Sequence, residues 1–156
     1  MLTLITPTDI DLTVEDPVRP TIPMTWRQQY EIWAWVEDHV RTATVCVAWL
    51  DAVPDSELGM LIMPRGFKAV AYTIWSAAPG AGKKLILALQ EQIKETPLCE
   101  GMYTLSPTTE MARKFHINNG ARVYRINEST INYQYKHDRT AEPTAQEREA
   151  QRSKNL

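Results

Sequence analysis

The stretch from Ala71 to Leu89, AYTIWSAAPGAGKKLILAL, constrains the fold of this chain more than any other part of its sequence. It begins with the β-branched and aromatic composition of a buried strand and ends with apolar residues at helical spacing. Between the two lies the tight turn Pro79-Gly80-Ala81-Gly82. Backbone N–H groups at such a strand-to-helix junction point outward at the positive end of the helix and bind phosphate groups. The stretch therefore predicts a phosphate-binding turn, although two glycines also suit a purely structural connection.

Length and composition predict a single domain followed by a polar tail. The chain has 156 residues, 44% of them hydrophobic, which is enough for one core spanning residues 1–136. Residues 137–156 are polar and cannot bury a core face of their own. We expect this tail to be mobile, or to become ordered against a protein partner or in a homodimer, with a polar helix from about Thr144.

Charge, cysteine usage and hydropathy exclude several classes of function. The formal net charge of −2 gives no basic excess, so nucleic acid is not an expected partner. Cys46 and Cys99 have no CxxC spacing and no nearby histidine, which indicates neither a disulfide framework nor a zinc site. We therefore expect no metal and a reducing, cytoplasmic location. No window approaches the ~18 apolar residues of a membrane span.

The first forty residues predict a strand, a loop and a helix. Leu2–Ile5 has strand-like composition, and the prolines and aspartates of residues 7–23 predict a long loop. Thr25 can cap a helix, which we expect to run to Val40 because an apolar residue recurs at nearly helical spacing. That stripe consists of Trp26, Tyr30, Trp33, Val36 and Val40. Trp35 lies outside it and serves either for packing or for contact with a ligand.

Alternating strands and helices follow. Three successive strands joined by short polar turns predict an antiparallel meander, at Thr42–Leu50, Leu58–Met63 and Phe67–Trp75. After the glycine turn we expect a helix at Lys83–Glu95, a strand at Gly101–Leu105, a helix capped by Thr108 or Thr109 and ended by Asn119-Gly120, and a final hairpin of Ala121–Arg125 and Thr130–Tyr135.

This order of elements resembles the Gcn5-related N-acetyltransferase (GNAT) family, and two motifs support the resemblance. The run from Ala77 to Gly82 is similar to the family's pyrophosphate loop, and the run from Thr109 to Ala121 is similar to the helix after its fifth strand. The resemblance covers about residues 40–136. It implies an α/β (α+β) fold with a mixed, mostly antiparallel sheet that is flanked by helices and splayed at its fourth and fifth strands.

The resemblance also implies a cofactor and a chemistry. Acetyl-CoA or CoA would bind with its pyrophosphate over Gly80, Ala81, Gly82 and Lys83 and with its pantetheine arm along Thr73, Ile74 and Trp75. In the family, a neutral amine of a small molecule or protein attacks the thioester directly, and a side chain protonates the leaving thiolate. His116 stands at the position of that side chain, and an unperturbed histidine holds a proton near neutral pH. The alternative is a surface histidine, or one bonded to a backbone carbonyl.

Several residues depart from the family pattern. Ala77 replaces a glutamine or arginine at the start of the loop, and Thr109 replaces an asparagine near the cofactor. No carboxylate lies in Phe67–Trp75, so a base would come from Glu37, Asp38 or His39 on the first helix, or from a chain of water molecules. These departures leave open a non-catalytic GNAT-fold protein, encoded by a phage or mobile element, that acts by binding or inhibiting a partner.

One further resemblance concerns the chemistry. The run Thr104-Leu105-Ser106-Pro107 is similar to a short stretch of malonyl-CoA decarboxylase, whose thioester-handling domain has the same fold.

Overall fold

The computed structural model describes residues 1–6, 10–138, 149, 150 and 152. Its first half consists of an antiparallel sheet with three short helices between the strands. The elements are β1 (Leu2–Ile5), α1 (Leu12–Glu15), α2 (Met24–Arg27), β2 (Glu31–Glu37), β3 (Val40–Leu50), α3 (Glu57–Leu61) and β4 (Lys68–Ser76). Three antiparallel pairs join these four strands in chain order: β1 with β2, β2 with β3, and β3 with β4.

The second half adds the one parallel pair and the C-terminal hairpin. Its elements are α4 (Ala81–Lys94), β5 (Met102–Thr104), β6 (Ser106–Pro107), α5 (Glu110–Asn118), β7 (Arg122–Ile126) and β8 (Thr130–Tyr135). Strand β5 pairs parallel with β4, and β8 pairs antiparallel with β5, β6 and β7. Gly120, at φ +99°, ends α5, and the next amide, Ala121 N, donates to the carbonyl of His116 at 3.0 Å. The predicted C-terminal cap is therefore confirmed in its position and conformation.

The predicted fold class is confirmed. The sheet has the order β1-β2-β3-β4-β5-β8-β6 in the described part of the chain, with β7 paired to β8, and it is mostly antiparallel. Helix α4 buries Leu85, Ile86, Leu89 and Ile93 against one face of the sheet. The segment from α1 to α2 covers the other face, where Leu12 and Ile22 pack against Tyr72. This segment takes the place that the sequence assigned to a long loop.

The helix predicted from Thr25 to Val40 is wrong. Only Met24–Arg27 is helical, and Glu31–Glu37 forms β2, between β1 and β3. Ile32 and Ala34 are buried and alternate with half-buried tryptophans, which is the period of a strand. β-Branched and aromatic residues suit a strand with two neighbours, and this tertiary pairing outweighs the apparent helical spacing. Trp35 packs against the core, and its indole N–H donates to Glu37 Oε1 at 2.8 Å.

The strand predicted at Leu58–Met63 is also wrong. This segment is the short helix α3, and Ser56 caps it by accepting a hydrogen bond from Gly59 N at 3.0 Å. The sequence Asp55-Ser56-Glu57 carries the signal of a helix start, a capping serine followed by an acidic first turn, which apolar composition alone does not reveal. The meander therefore contains β2, β3 and β4, and β3 pairs directly with β4.

The expectations for the C-terminal tail concern residues that lie mostly outside the described ones, including the start of the proposed helix at Thr144. They remain predictions. Within the residues that are described, no helix has the length and apolarity needed to cross a membrane.

Candidate functional site

A cleft opens where β4 and β5 separate. The two strands pair only through Ala69–Ala71 and Met102–Thr104, and the last bond between them runs from Leu105 N to the carbonyl of Ala71 at 3.2 Å. Strand β4 then continues to Ser76, while the segment after β5 turns away and forms β6, which pairs with β8. Because the strands diverge, one edge of β4 faces an open space, which α5 and the start of α4 enclose.

This cleft is uncharged and has a volume of about 340 Å³. One wall is β4 from Ala71 to Ser76, the opposite wall is Leu105–Pro107, and α5 closes it with residues such as Phe115 and His116. Gly82 at the start of α4 and Val18 from the covering segment complete it. None of the described residues that line the cleft carries an ionised side chain at neutral pH. A ligand there meets apolar surface and a few hydroxyl groups.

His116 lies on the cleft wall with hydrogen bonds at both ring nitrogens. Its Nε2 lies 3.2 Å from Ser106 Oγ, and its Nδ1 lies 2.6 Å from the Tyr135 hydroxyl. The ring stacks on Tyr133 at a centroid distance of 4.9 Å, and only 4% of the residue is exposed. The hydroxyl of Ser106 donates in turn to Thr104 Oγ1 at 2.8 Å. Ser106, His116 and Tyr135 thus form a hydrogen-bonded row of exchangeable protons, which connects the buried Tyr135 to the cleft.

Burial lowers the pKa of His116 to about 4, because the surroundings solvate the imidazolium poorly. The imidazole is therefore neutral at pH 7, whereas the sequence predicted a group that holds a proton near neutrality. Burial also raises the pKa of Tyr135, so its hydroxyl remains protonated. A neutral imidazole accepts a proton at one nitrogen while it donates at the other, so the row can transfer a proton without storing charge.

The glycine turn lies beside the cleft at the start of α4. Gly80 adopts the left-handed conformation, at φ +76°, and no side chain caps the helix. Ala81 N donates to the carbonyl of Ala78 at 3.2 Å, whereas the amides of Gly82 and Lys83 have no acceptor in the described part of the chain. A Cβ on Gly82 would lie 3.3 Å from Phe115 Cε1, so glycine permits the close approach of α4 to α5.

The structure brings six of the predicted site residues together. Those that line the cleft are Thr73, Ile74, Trp75, Gly82, Thr109 and His116. Gly80, Ala81 and Lys83 lie at the adjoining helix start rather than in the wall. Ala77 is exposed, and its amide donates to the carbonyl of Thr42 at 2.8 Å.

Thr109 and Lys84 also make structural contacts. The hydroxyl of Thr109 caps α5 by accepting from Ala112 N at 3.2 Å. Lys84 forms an ion pair with Glu37 at 2.7 Å. Of the two adjacent lysines, Lys83 is therefore the one without an ionic partner in the described part of the chain. The pKa of Glu37 is lowered, mainly by its hydrogen bond from Lys84.

The bases suggested by the sequence do not reach the cleft. Glu37, Asp38 and His39 were expected on a helix, but Glu37 ends β2, and the other two form the tight turn into β3 at φ +51° and +65°. None of the three lines the cleft. The helix predicted to carry them is therefore wrong, and their role as a base has no support from their position.

Sequence reasoning missed three contributors to the site. Ser106 stands out only as part of the run that is similar to malonyl-CoA decarboxylase, the predicted final strand gives Tyr135 no role, and residues 16–19 fall in the predicted loop. A signal existed for Tyr135, because alternation along β8 places Tyr133 and Tyr135 on one face. No local pattern connects Val18 to a cleft formed by residues fifty positions later.

Comparisons with known proteins find similarity in structure only. No known protein family and no curated protein matches the sequence. The GNAT-like decarboxylase GphF, solved with isobutyryl-CoA, is 13% identical, with 88% of this chain and 100% of that chain covered at a TM-score of 0.69. A Bacillus subtilis acetyltransferase, solved with CoA, is 12% identical over 86% of this chain and 96% of that one, at a TM-score of 0.63.

This chain matches only part of a third, longer protein of known structure. Malonyl-CoA decarboxylase from Cupriavidus metallidurans is 15% identical over 89% of this chain and 61% of that one, at a TM-score of 0.61. At such low identities the similarity establishes the fold alone, and it confirms the fold that the sequence predicted.

Proposed function

We propose that this chain, which has the fold of the GNAT superfamily, is an acyl-CoA-dependent enzyme that holds a thioester in the cleft between β4 and α5. The observation that carries the proposal is the row Ser106–His116–Tyr135, which ends on the cleft wall. Such a row can deliver or remove a proton beside a bound thioester. GphF and the Bacillus subtilis acetyltransferase were solved with CoA ligands, which supports the same class of ligand here.

The cofactor would lie across the helix start and the edge of β4. Its pyrophosphate would accept hydrogen bonds from the turn of Gly80, Ala81, Gly82 and Lys83, chiefly from the unpaired amides of Gly82 and Lys83. The exposed Lys83 would add a positive charge. The pantetheine arm would lie along Thr73–Trp75, where β4 has no neighbouring strand on the cleft side.

The first candidate reaction is transfer of an acyl group to the amine of a small molecule or protein. The neutral amine attacks the thioester carbonyl, the carbon–sulfur bond breaks, and CoA leaves as a thiolate. The thiolate accepts a proton from the Ser106 hydroxyl, His116 restores that proton, and the proton lost by the amine returns to the row. The row therefore supplies a proton relay, while water or a residue of the acceptor must take the role of a carboxylate base.

A second candidate is favoured by the uncharged lining of the cleft. A carboxyacyl-CoA could lose CO₂ there: the bond to the carboxyl carbon breaks, its electrons form a thioester enolate, and the α-carbon then takes a proton. A carboxylate is poorly solvated in such a cleft, whereas the transition state spreads its charge. Ser106 would turn its hydroxyl from Thr104 Oγ1 to the enolate oxygen and donate a hydrogen bond there. The row would supply the proton that the α-carbon takes and would regain one from water. Two of the structurally similar proteins, GphF and the malonyl-CoA decarboxylase, are decarboxylases, which supports this candidate.

One experiment distinguishes the two reactions. The protein is incubated with acetyl-CoA and a panel of polyamines and peptides, and separately with malonyl-CoA. Free thiol and acyl-CoA products are followed by colorimetry and mass spectrometry. Acyl transfer releases thiol only when an amine is present, whereas decarboxylation converts malonyl-CoA to acetyl-CoA without releasing thiol.

The Ser106→Ala variant tests whether the row takes part in either reaction. We expect its turnover to fall by about 10²-fold, the contribution typical of a positioned proton donor. Ser129→Ala, in the exposed turn before β8, is the matched control and should retain the wild-type rate. Equal rates in both variants would contradict the assignment of Ser106, and the absence of both reactions together with the absence of CoA binding would contradict the function.

A further inference from the structure

Arg19 connects the two walls of the cleft at the point where the strands separate. Its Nε donates to the carbonyl of Tyr72 on β4 at 3.2 Å, and its Nη2 donates to the carbonyl of Leu105 on the opposite wall at 3.0 Å. Its Nη1 lies 3.4 Å from Glu57 Oε1, and the side chain is 11% exposed. One guanidinium group therefore bridges β4 and the segment that diverges from it after β5.

These two carbonyls lie where the sheet loses its regular hydrogen bonds. Pairing of β4 with β5 ends at Ala71 and Thr104. On the other side of β4, the register with β3 shifts so that Cys46 pairs with Thr73 and Val47 pairs with Ala71, which leaves Tyr72 without a partner position. Unpaired buried carbonyls are costly, and the planar fork of arginine can satisfy two acceptors at once. The Arg19 side chain thus supplies hydrogen bonds to Tyr72 and Leu105 where the hydrogen bonding between β4 and β5 ends.

The backbone around Arg19 is held by buried groups. Asp16 Oδ1 accepts from the amides of Val18 at 2.8 Å and Arg19 at 3.0 Å, and from the Thr73 hydroxyl at 2.8 Å. Arg27 Nη1 donates to Asp16 Oδ2 at 2.8 Å, and its Nη2 donates to the carbonyl of Arg19 at 2.6 Å. Asp16 is 3% exposed and Arg27 is 0% exposed. This network fixes Arg19 relative to β4.

We propose that Arg19 is a positioning residue that sets the separation of the cleft walls at the end remote from the glycine turn. Its two hydrogen bonds hold Tyr72 and Leu105, both of which line the cleft, and its neighbour Val18 forms part of the same wall. Loss of the guanidinium frees both walls there, while the turn at the start of α4 keeps its own contacts. Arg19 sets the separation of the walls whether or not a ligand is bound. Only the consequence for acyl groups rests on the proposed function.

Amide hydrogen exchange measured by NMR tests the structural part. In Arg19→Ala and Arg19→Lys we expect the Leu105 amide, the last bond between β4 and β5, to exchange at least about tenfold faster, because a charged donor is lost or cannot bridge two acceptors. The Ala69 amide, bonded to the Gly101 carbonyl at 3.0 Å, reports the other end of the same ladder and should change little. Arg65→Ala removes an arginine-to-carbonyl bond between residues that do not line the cleft, and it is the matched control.

Ligand titrations with CoA and acetyl-CoA test the consequence. In Arg19→Ala, CoA should bind within about threefold of wild type, whereas the ratio of acetyl-CoA to CoA affinity should change at least about fivefold, since only the acyl end of the cleft is altered. Equal acceleration of the Leu105 and Ala69 amides, or equal weakening of both ligands, would overturn the proposal. If the wild-type protein binds no CoA, the proposed function fails, and the exchange measurement alone decides the role of Arg19.

Discussion

His116 is deeply buried between two hydroxyl partners, and its burial determines its protonation. In the unfolded chain a histidine has a pKa near ~6.5. In the folded protein the pKa of His116 is lowered to about 4 by desolvation. The folded state therefore binds fewer protons than the unfolded state between these two pH values. By linkage, stability must decrease as the pH falls through this window.

The acid sensitivity of the fold gives a first prediction. Between pH 6.5 and 4, His116 should account for a loss of up to about 3 kcal/mol of unfolding free energy, a contribution fully present above pH 6.5. Urea denaturation at several pH values measures it. The His116→Gln variant should lose this part of the pH slope, and His39→Asn, in the exposed turn after β2, should retain it. Identical slopes in wild type and His116→Gln would contradict a buried neutral histidine.

Tyr135 gives a second prediction at the same scale. Tyr135→Phe leaves Nδ1 of the buried His116 without its hydroxyl partner, and this should cost about 1–3 kcal/mol of stability. If the row transfers protons, kcat should also fall by about tenfold or more with KM for the acyl-CoA unchanged. Steady-state kinetics and thermal melts measure the two effects. Tyr124→Phe, on the exposed strand β7, is the control, and an unchanged kcat in Tyr135→Phe would limit Tyr135 to packing.

Among the elements, the turn into α4 is the one whose role the sequence predicts best. Its strand, glycine turn and helix all lie where the local pattern places them, because a buried strand, a left-handed glycine and an amphipathic helix each leave a local signal. Strand β2 shows the opposite case. Trp33 fits either period, and only the pairing of its segment with β1 and β3 selects the strand.

The turn provides a third prediction with a matched pair of variants. A Cβ at Gly80 meets no atom within 4 Å, and both Asp and Asn tolerate the left-handed conformation, so Gly80→Asp and Gly80→Asn should both fold. If phosphate binds here, the aspartate should weaken CoA binding at least about tenfold relative to the asparagine, and salt should reduce the difference. Calorimetric titration at two ionic strengths measures it. Equal affinities would place the phosphates elsewhere.

At the scale of the whole molecule, the segment between β1 and β2 joins the two halves of the site. Asp16 and Arg27 form a fully buried ion pair at 2.8 Å, and Arg19 extends from it to both cleft walls. The sequence assigned residues 7–23 to a loop because prolines and aspartates have no periodicity. The stabilising contacts there depend on β4, more than fifty residues later, so no local pattern could predict them.

This buried pair gives a fourth prediction. Asp16→Ala leaves the Arg27 guanidinium buried without its carboxylate and should lower the free energy of unfolding by about 3–5 kcal/mol. Glu91→Ala removes an exposed pair with Lys94 on α4 and should cost no more than about 0.5 kcal/mol. Chemical denaturation compares the two variants. Similar losses would show that the segment from α1 to α2 contributes little to the stability of the whole fold.

An NMR titration of the isotope-labelled protein with acetyl-CoA tests the central claim most directly, because it reports both binding and location. We predict that the amide signals of Gly82, Lys83 and Thr73–Trp75 shift together on saturation, while those of β1 and β7 remain in place. Absence of shifts at millimolar acetyl-CoA, or shifts confined to residues outside the cleft and the α4 turn, would contradict an acyl-CoA site between β4 and α5.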